Sequence, residues 1–392
     1  ERVYSESEVY CLQMLRQKRG FPLYEPAPQI SLHEAYRSRG ISIGDVGRVT
    51  QDGIFDFFFN IFLSSEDPVN ANETPEGFMP LAMYQPKDVF HLYHAPGSHV
   101  STSTVARQDV GVSSDIVPDN GFIFRCDVTQ GAVLALPHST HLQKLQNIGT
   151  VQCYAARHAA SWYEHVNGPR GRELKNGELY LVTGHERTVS WGMASYHKSN
   201  CDFRLKFQEN TDRYRWSGVV GQDNPSKRKC YNPSSTNVSP PNHTVFLHGL
   251  SISLKQGLWD MLFGTVSVET SSIPDFYVHF DRLRGSGVDS KRRLPWWSRL
   301  FRTAGRPGAE PQRAISNQGP EAILAEFPRN SKISNPGKLM NEYILSKSPD
   351  TNVALTHDDD WCDILGDTSD IQTLADFLRQ VEDRFTLCTE NG

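Results

Sequence analysis

The fold is decided by residues 122–254, which open with FIFRCDV (residues 122–128). Apolar residues hold every second position there, and the same alternation recurs in FRLKF (203–207) and RYRW (213–216). Side chains at every second position of a strand share one face, so the pattern predicts strands with one buried and one wet face. We therefore expect an α+β protein whose main domain is β-rich and mostly antiparallel.

Between these strands, one long helix is expected from Thr140 to Val166. Thr140 and Gln143 have the spacing of a capping box. Apolar residues then recur at steps of three and four, which is the period of one helix face. The sequence predicts that this helix packs on the sheet through Leu142, Leu145 and Trp162.

Two local signals add detail to the β-rich domain. Strand-prone stretches at 41–50 and 54–62 flank Asp52-Gly53, and this arrangement is a strong short-range hairpin signal. Further along, the apolar alternation of residues 245–254 slips by one position at Gly249, which is typical of a β-bulge.

Length and composition suggest more than one folded part. A chain of 392 residues exceeds the usual size of a single hydrophobic core. Beyond Arg282, arginine and lysine become frequent, together with glycine and proline. The sequence predicts a β-rich main domain with an N-terminal helix and hairpin over 1–281, a basic Gly/Pro-containing linker over 282–320, and a small C-terminal α/β module over 321–392.

The overall composition argues against several classes of protein. A net charge of −5 and a pI near 6.3 disfavour a nucleic-acid binder, because phosphate binding calls for a basic face. No run approaches the roughly 20 apolar residues that span a bilayer. The seven cysteines form no CxxC pair, and the first residues lack a signal-peptide core. A cytoplasmic protein is expected.

Several phrases of the sequence also have a recognisable order. They are GFPL (20–23), IGDVG (43–47), GIFDFFFNI (53–61), GAVLALP (131–137), LYLVTG (179–184), WGMAS (191–195) and THDDDW (356–361). Together they resemble a large, uncharacterised protein family of mushroom-forming (agaricomycete) fungi that has no established function. The resemblance covers nearly the whole chain and implies an intracellular fungal protein, but it implies no activity, cofactor or catalytic residue.

Histidines provide the densest chemical signal. His91 and His94 lie in FHLYHAPGSH (90–99), and His138 and His141 lie in PHSTH (137–141). Neutral imidazole binds zinc, copper or iron, so these four histidines are candidate ligands of a metal site, with zinc as the candidate ion. Their spacing matches no standard metal motif, and hydrogen-bonded surface histidines are the alternative.

The run HDDDW (357–361) carries three adjacent carboxylates. These side chains are suited to Mg²⁺ or Ca²⁺, which prefer oxygen ligands. The alternative is that the carboxylates cap the helix that follows them, where the helix dipole stabilises negative charge.

The predicted linker interleaves cations with large apolar side chains. Cations attract anionic headgroups, and tryptophan favours the membrane interface. The candidate residues for binding an anionic membrane or an acidic partner are Lys291, Arg292, Arg293, Trp296, Trp297, Arg299 and Arg302. The alternative is a solvated linker.

No complete catalytic motif accompanies these features. The sequence around Ser195 is not a GxSxG elbow, and the glycine-rich stretches lack the Walker lysine and the GxGxxG spacing. Whether the chain is an enzyme therefore stays open. The leading hypothesis is a non-enzymatic interaction or sensing protein with a protein partner and no cofactor. The alternatives are a metal-dependent enzyme that uses the histidines, and a peripheral membrane-acting protein.

Overall fold

A computed structural model describes residues 5–108, 121–127, 129–197, 202–210, 213–218, 226–232, 241–263, 335–365 and 374–384. Within these ranges the protein is β-rich with several helices, and every strand pairing is antiparallel. The predicted α+β class, with a mostly antiparallel β-rich domain and one long packed helix, is confirmed.

Most of the described strands lie in two runs along the chain, residues 45–145 and 179–254, which are separated by one long helix. The strands are β1 (Phe21–Pro22), β2 (Asp45–Val49), β3 (Phe55–Asn60), β4 (Val89–His94), β5 (Ser98–Ser101), β6 (Val105–Gln108), β7 (Phe122–Cys126), β8 (Gln130–Leu136), β9 (Thr140–Leu145), β10 (Leu179–Thr188), β11 (Trp191–His197), β12 (Phe203–Asn210), β13 (Arg213–Gly218), β14 (Lys227–Tyr231), β15 (His243–Leu254) and β16 (Val353–His357). The helices are α1 (Glu6–Leu15), α2 (Glu34–Arg39), α3 (Ile148–Asn167), α4 (Gln256–Phe263), α5 (Pro336–Lys347), α6 (Asp358–Leu365) and α7 (Leu374–Arg384), with a short 3₁₀ turn at Pro86–Asp88.

The central sheet, sheet A, is built around β10 and β15, which pair along almost their whole length. Each of these strands has two partners on its other edge. β10 pairs with β2 near its start and with β9 near its end, while β15 pairs with β1 and then β16. All twelve residues of β15 are buried. β4 pairs with β9 and extends the sheet outwards, and we call these two strands the β4–β9 wing.

The predicted hairpin and bulge are both present. β2 and β3 pair around the Asp52-Gly53 turn, where Gly53 adopts a φ of 72° that favours glycine. The register between β10 and β15 shifts opposite Gly249, as the apolar pattern predicted. However, the extra residue is Thr183 on β10, and a second shift leaves Val245 of β15 without a partner on β10.

Two further sheets form a sandwich. Sheet B has the order β14-β11-β8-β5, and sheet C has the order β13-β12-β7-β6. Between them lies an apolar core that includes Phe124 and Phe207 from sheet C and Val133 and Tyr196 from sheet B. The alternate residues of β8 face the other way, towards α1 and β15. Sheet B is therefore covered on both faces, which explains why β8 is apolar at nearly every position.

The long helix differs from its prediction at the N-terminal end. Residues 140–145 form β9, and α3 begins only at Ile148 after the N-cap Asn147. Thr140 and Gln143 therefore form no capping box, and Leu142 and Leu145 lie on a strand. Their three-residue spacing is compatible with a helix, but pairing with β4 and β10 satisfies this backbone as a strand.

The C-terminal part of the predicted helix is confirmed. Trp162 is 1% exposed, and its ring packs edge-on against Phe59 with ring centroids 5.6 Å apart. The neighbouring Tyr163 hydroxyl donates to the carbonyl of Ile252 and accepts from the N–H of Gly177. These contacts fix α3 against strands β3 and β15.

The C-terminal α/β segment is present but does not form a module of its own. β16 pairs with β15, and α5, α6 and α7 contribute Met340, Trp361 and Phe377 to the same core as Tyr180 of β10. Residues 1–254 and 331–392 accordingly form one compact unit. The prediction of a separate module from residue 321 is therefore wrong for the described residues of this segment. Their strand, β16, pairs with β15 and so belongs to sheet A.

A second unit covers residues 255–330. Its described portion consists of Lys255 and α4. The predicted linker at 282–320 lies outside the described residues.

Among the helices in the described ranges, none is both long enough and apolar enough to cross a bilayer.

We predict that Trp162→Ala lowers the free energy of unfolding by roughly 3–5 kcal/mol, because it removes a large buried side chain and leaves a cavity. Chemical denaturation measures the effect. The matched control is Arg157→Ala, an exposed position of the same helix, which should change stability by less than about 0.5 kcal/mol. Equal effects of the two changes would contradict the packing described for α3.

Candidate functional site

The β4–β9 wing brings together residues that are far apart in the sequence. Pairing across four strands places Phe90, Lys144, Gly184 and His248 in one row, because directly opposed residues of a sheet share a face. Gly184 has no side chain, and a Cβ added there would lie 2.9 Å from Cγ of Lys144. The absence of a side chain at Gly184 thus leaves room for the Lys144 side chain to extend over β10.

Lys144 reaches Asp359 at the start of α6. Its Nζ lies 2.7 Å from both carboxylate oxygens, and Nδ1 of His248 and Nδ1 of His357 approach them at 3.4 and 3.5 Å. We call Lys144, His248, His357 and Asp359 the Lys144–Asp359 cluster. Burial alone would raise the pKa of Asp359, but hydrogen bonds from His248 and Lys144 hold it well below its usual range. Asp359 is therefore negatively charged, and its charge is paired with that of Lys144.

Two residues of this cluster, His357 and Asp359, form with the neighbouring Thr183 a set that has the residue types of a catalytic triad. Thr183 Oγ1 lies 2.7 Å from Nε2 of His357, whose Nδ1 is beside Asp359. However, the backbone N–H of Asp359 donates to that Nδ1 at 3.2 Å, so in the neutral ring Nε2 carries the proton and donates to Thr183. A general base needs the opposite tautomer. Thr183 and His357 are also buried, and the geometry therefore favours a structural role.

Asp358 anchors α6 to sheet A. Its carboxylate accepts from the Tyr180 hydroxyl, from Trp361 Nε1 at 2.8 Å and from the backbone N–H of Gly249 at 3.1 Å. Burial raises the pKa of Asp358 to about 7. The carboxylate of Asp360, two residues further along the chain, accepts from the backbone N–H of His357, as a helix cap does. The capping interpretation thus fits Asp360, whereas Asp358 serves tertiary packing.

Glu186 occupies the next row of the same face. Its buried carboxylate accepts from Arg19 and from the Thr140 hydroxyl, and Nε2 of His94 lies 3.9 Å away. His94, a predicted metal ligand, is therefore placed beside an ion pair rather than beside the other histidines.

The remaining predicted ligands divide into a pair and a single residue. Nδ1 of His91 lies 2.9 Å from Nε2 of His141, on the face of the wing opposite Lys144. Tyr93 stacks on His141 with ring centroids 4.1 Å apart. His138 instead contacts Ser190 at 2.6 Å. The structure thus unites two of the four predicted ligands. In the described part of the chain, no group of three or more His, Cys, Asp or Glu side chains is arranged to hold a metal ion.

The candidate residues for membrane or acidic-partner binding cannot be placed. Lys291, Arg292, Arg293, Trp296, Trp297, Arg299 and Arg302 all lie outside the described residues.

The most exposed apolar feature of the wing is β4 itself. Phe90, Leu92 and Tyr93 are 43%, 40% and 68% exposed. Among the described strands, β4 pairs with β9 alone. Proteins usually protect such edges with lysine, proline or a bulge, yet VFHLYH (89–94) contains no lysine, proline or acidic residue. An unprotected apolar edge is typical of an interaction site.

The backbone of β4 has a defined outward side. The carbonyl of Asp88 accepts from the N–H of Gln146 on the β9 side. Because hydrogen-bonded positions alternate along an antiparallel strand, residues 90, 92 and 94 direct their backbone groups to β9. The N–H and C=O groups of His91 and Tyr93 therefore point away from the sheet. The C=O of Val89 does so as well, whereas its N–H donates to the carbonyl of Pro86.

Sequence reasoning missed the Lys144–Asp359 cluster and the exposed edge. The lysine and the aspartate are 215 positions apart, so no local spacing could have paired them. The sequence of β4 did carry a signal. Its six residues place apolar side chains on both faces of the strand, and they include no lysine, arginine, aspartate or glutamate.

No protein-family model matches the sequence, and no curated protein matches it either. The resemblance to fungal proteins therefore stays a prediction.

We predict that His357 makes the stability of the protein sensitive to acid. Burial lowers the pKa of His357 to about 4, whereas in the unfolded chain it takes up a proton below about pH 6.5. The stability that it contributes is therefore complete above pH 6.5 and is lost as the pH falls towards 4. His357→Gln should flatten this part of the stability–pH curve by at most about 1.4 kcal/mol per pH unit.

Urea denaturation at several pH values measures this slope. Each protein is compared with its own stability at pH 8. The constant loss of stability that His357→Gln causes by removing hydrogen bonds then cancels from the comparison. Asp358 acts in the opposite direction, since its raised pKa favours the folded protein as the pH falls from 7 towards 4, but it does so in both proteins. Parallel curves for the two proteins would contradict the role given to His357.

Proposed function

We propose that this chain is a non-enzymatic interaction protein that binds a protein partner along the outward edge of β4. The observation that supports this best is the combination of exposed Phe90, Leu92 and Tyr93 with outward backbone groups at alternate positions. In this mode of recognition an extended segment adds a strand to the sheet, so that main-chain hydrogen bonds provide affinity and alternating side chains provide specificity.

The setting we propose is the cytoplasm. Cys11, Cys126, Cys153, Cys230 and Cys362 are all free thiols, and free thiols are typical of reducing compartments. The proposal of an enzyme is weaker, because its best geometric support, the Thr183–His357 contact, has the wrong tautomer for a general base.

Panning a display library of random peptides on the protein tests this function. We expect the recovered peptides to be extended and apolar, and to lose at least tenfold in affinity on Tyr93→Lys. The matched control is Ile30→Lys, because Ile30 is 89% exposed and lies outside β4. It should bind these peptides as the wild type does.

Hydrogen exchange locates the bound strand. Exchange of the amides of residues 91 and 93 should slow when a peptide binds. The amides of 90 and 92 should change little because they already donate to carbonyls of β9, and the amide of 89 should change little because it donates to the carbonyl of Pro86. Peptides that bind equally well to the Tyr93→Lys and Ile30→Lys variants, or that protect amides elsewhere, would rule out β4 as the binding site.

A further inference from the structure

We infer that a second copy of this chain occupies the β4 edge, forming a two-fold dimer in which sheet A continues from one protomer into the next. This inference rests on the proposed function of β4 as a binding edge. It is carried by the self-complementarity of the strand, which becomes apparent when β4 is paired antiparallel with itself.

The backbone fixes which registers are allowed. Only His91 and Tyr93, with both backbone groups, and Val89, with its C=O, present outward hydrogen-bonding groups, so these positions must face one another across the dimer. Pairing His91 with His91 of the second copy places each Val89 opposite a Tyr93. The two His91 residues then exchange hydrogen bonds with each other, and the N–H of each Tyr93 donates to the carbonyl of the opposed Val89, whose own N–H stays bonded to Pro86. No other register pairs these three positions among themselves.

The side chains agree with this register. Opposed residues share a face, so Phe90 meets Leu92 of the second copy, and the pair occurs twice by symmetry. On the other face, Val89 meets Tyr93. The exposed apolar side chains of the strand are thus covered by apolar partners, and no cation or carboxylate is placed against them.

Polar side chains are paired at the two ends of the same register. Asp88, just before β4, comes opposite His94 of the second copy. The carboxylate of Asp88 accepts from the backbone N–H of Gln85 through Oδ2, so Oδ1 can face the imidazole. A register shifted by two residues in one direction would set Asp88 against Leu92, and in the other direction it would set Phe90 against His94.

Symmetry also explains why the exposed edge need not lead to aggregation. An isologous contact uses the same edge of both protomers, so the assembly closes at two copies. A contact built on one six-residue strand lies at the small end of interface sizes. We therefore expect a dissociation constant on the order of 10 μM rather than a permanent dimer.

Site-directed cross-linking of the full chain tests the register. His91→Cys, with Cys153, Cys201, Cys230 and Cys388 changed to Ser, should form an intermolecular disulfide under mild oxidation. The two Cα atoms would lie about 5.5 Å apart at the axis, within the range a disulfide spans. The control is His94→Cys in the same background, whose two sulfurs would be separated by about 20 Å along the strand.

Sedimentation velocity provides the second measurement. The wild type should shift from monomer to dimer between about 1 and 100 μM, and Leu92→Lys should remain a monomer while Ile30→Lys dimerises normally. Equal cross-linking of His91→Cys and His94→Cys, or a wild type that stays monomeric at 100 μM, would overturn the dimer. Library peptides that bind β4 of a purely monomeric protein would overturn the dimer alone and leave the proposed function standing.

Discussion

The structure depends on satisfying both edges of β15. A strand with all of its residues buried cannot hydrogen-bond to water, so each edge needs a protein partner. β10 supplies one edge, while the other is shared between β1 near the N-terminus and β16 near the C-terminus. This constraint joins three distant parts of the sequence into one unit. The carboxylate of Asp358, which accepts from Gly249 of β15 and from Tyr180 of β10, then holds α6 at the same place.

The β4–β9 wing follows from the same arrangement. β10 is longer than its partner β2, and its second half is free to pair with β9. The wing is fastened to the rest of the protein on one face by Lys144, which pairs with Asp359, and by Thr140, which donates to Glu186. Glu186 also pairs with Arg19. These charged groups are paired within the chain, so the outer strand β4 presents mainly backbone and apolar groups. Its chemistry is therefore that of a binding edge rather than of a reaction centre.

Much of the architecture could be predicted from local patterns. Period-two alternation correctly predicted strands β7, β12 and β13, and the Asp52-Gly53 turn correctly predicted the β2–β3 hairpin. Local patterns failed where tertiary pairing decides the conformation. Residues 140–145 fit a helix by spacing but form strand β9. The local sequence of β16 is compatible with a strand, but it does not indicate that the partner of this strand is β15.

The candidate site shows the same division. The attraction of histidine for metals suggested a four-residue cluster, yet register places His91 with His141 and leaves His94 and His138 with Glu186 and Ser190. Which histidines meet depends on strand pairing between residues 50 positions apart. Residue type alone carries no such information. The outward edge of β4 could have been suspected from its uncharged composition, but its exposure required knowledge of the sheet order.

The shared edge of β15 has a consequence for synthesis on the ribosome. β15 ends at Leu254 and its partner β16 ends at His357, so about a hundred residues must be added between them. At roughly 5–20 residues per second this takes about 5–20 s. During that interval the nascent chain contains the central strand of its main sheet without the strand and helices that later cover it. Apolar side chains such as Tyr180 and Leu247 remain without their C-terminal neighbours, so we expect the growing chain to expose apolar surface that chaperones recognise until β16 is made.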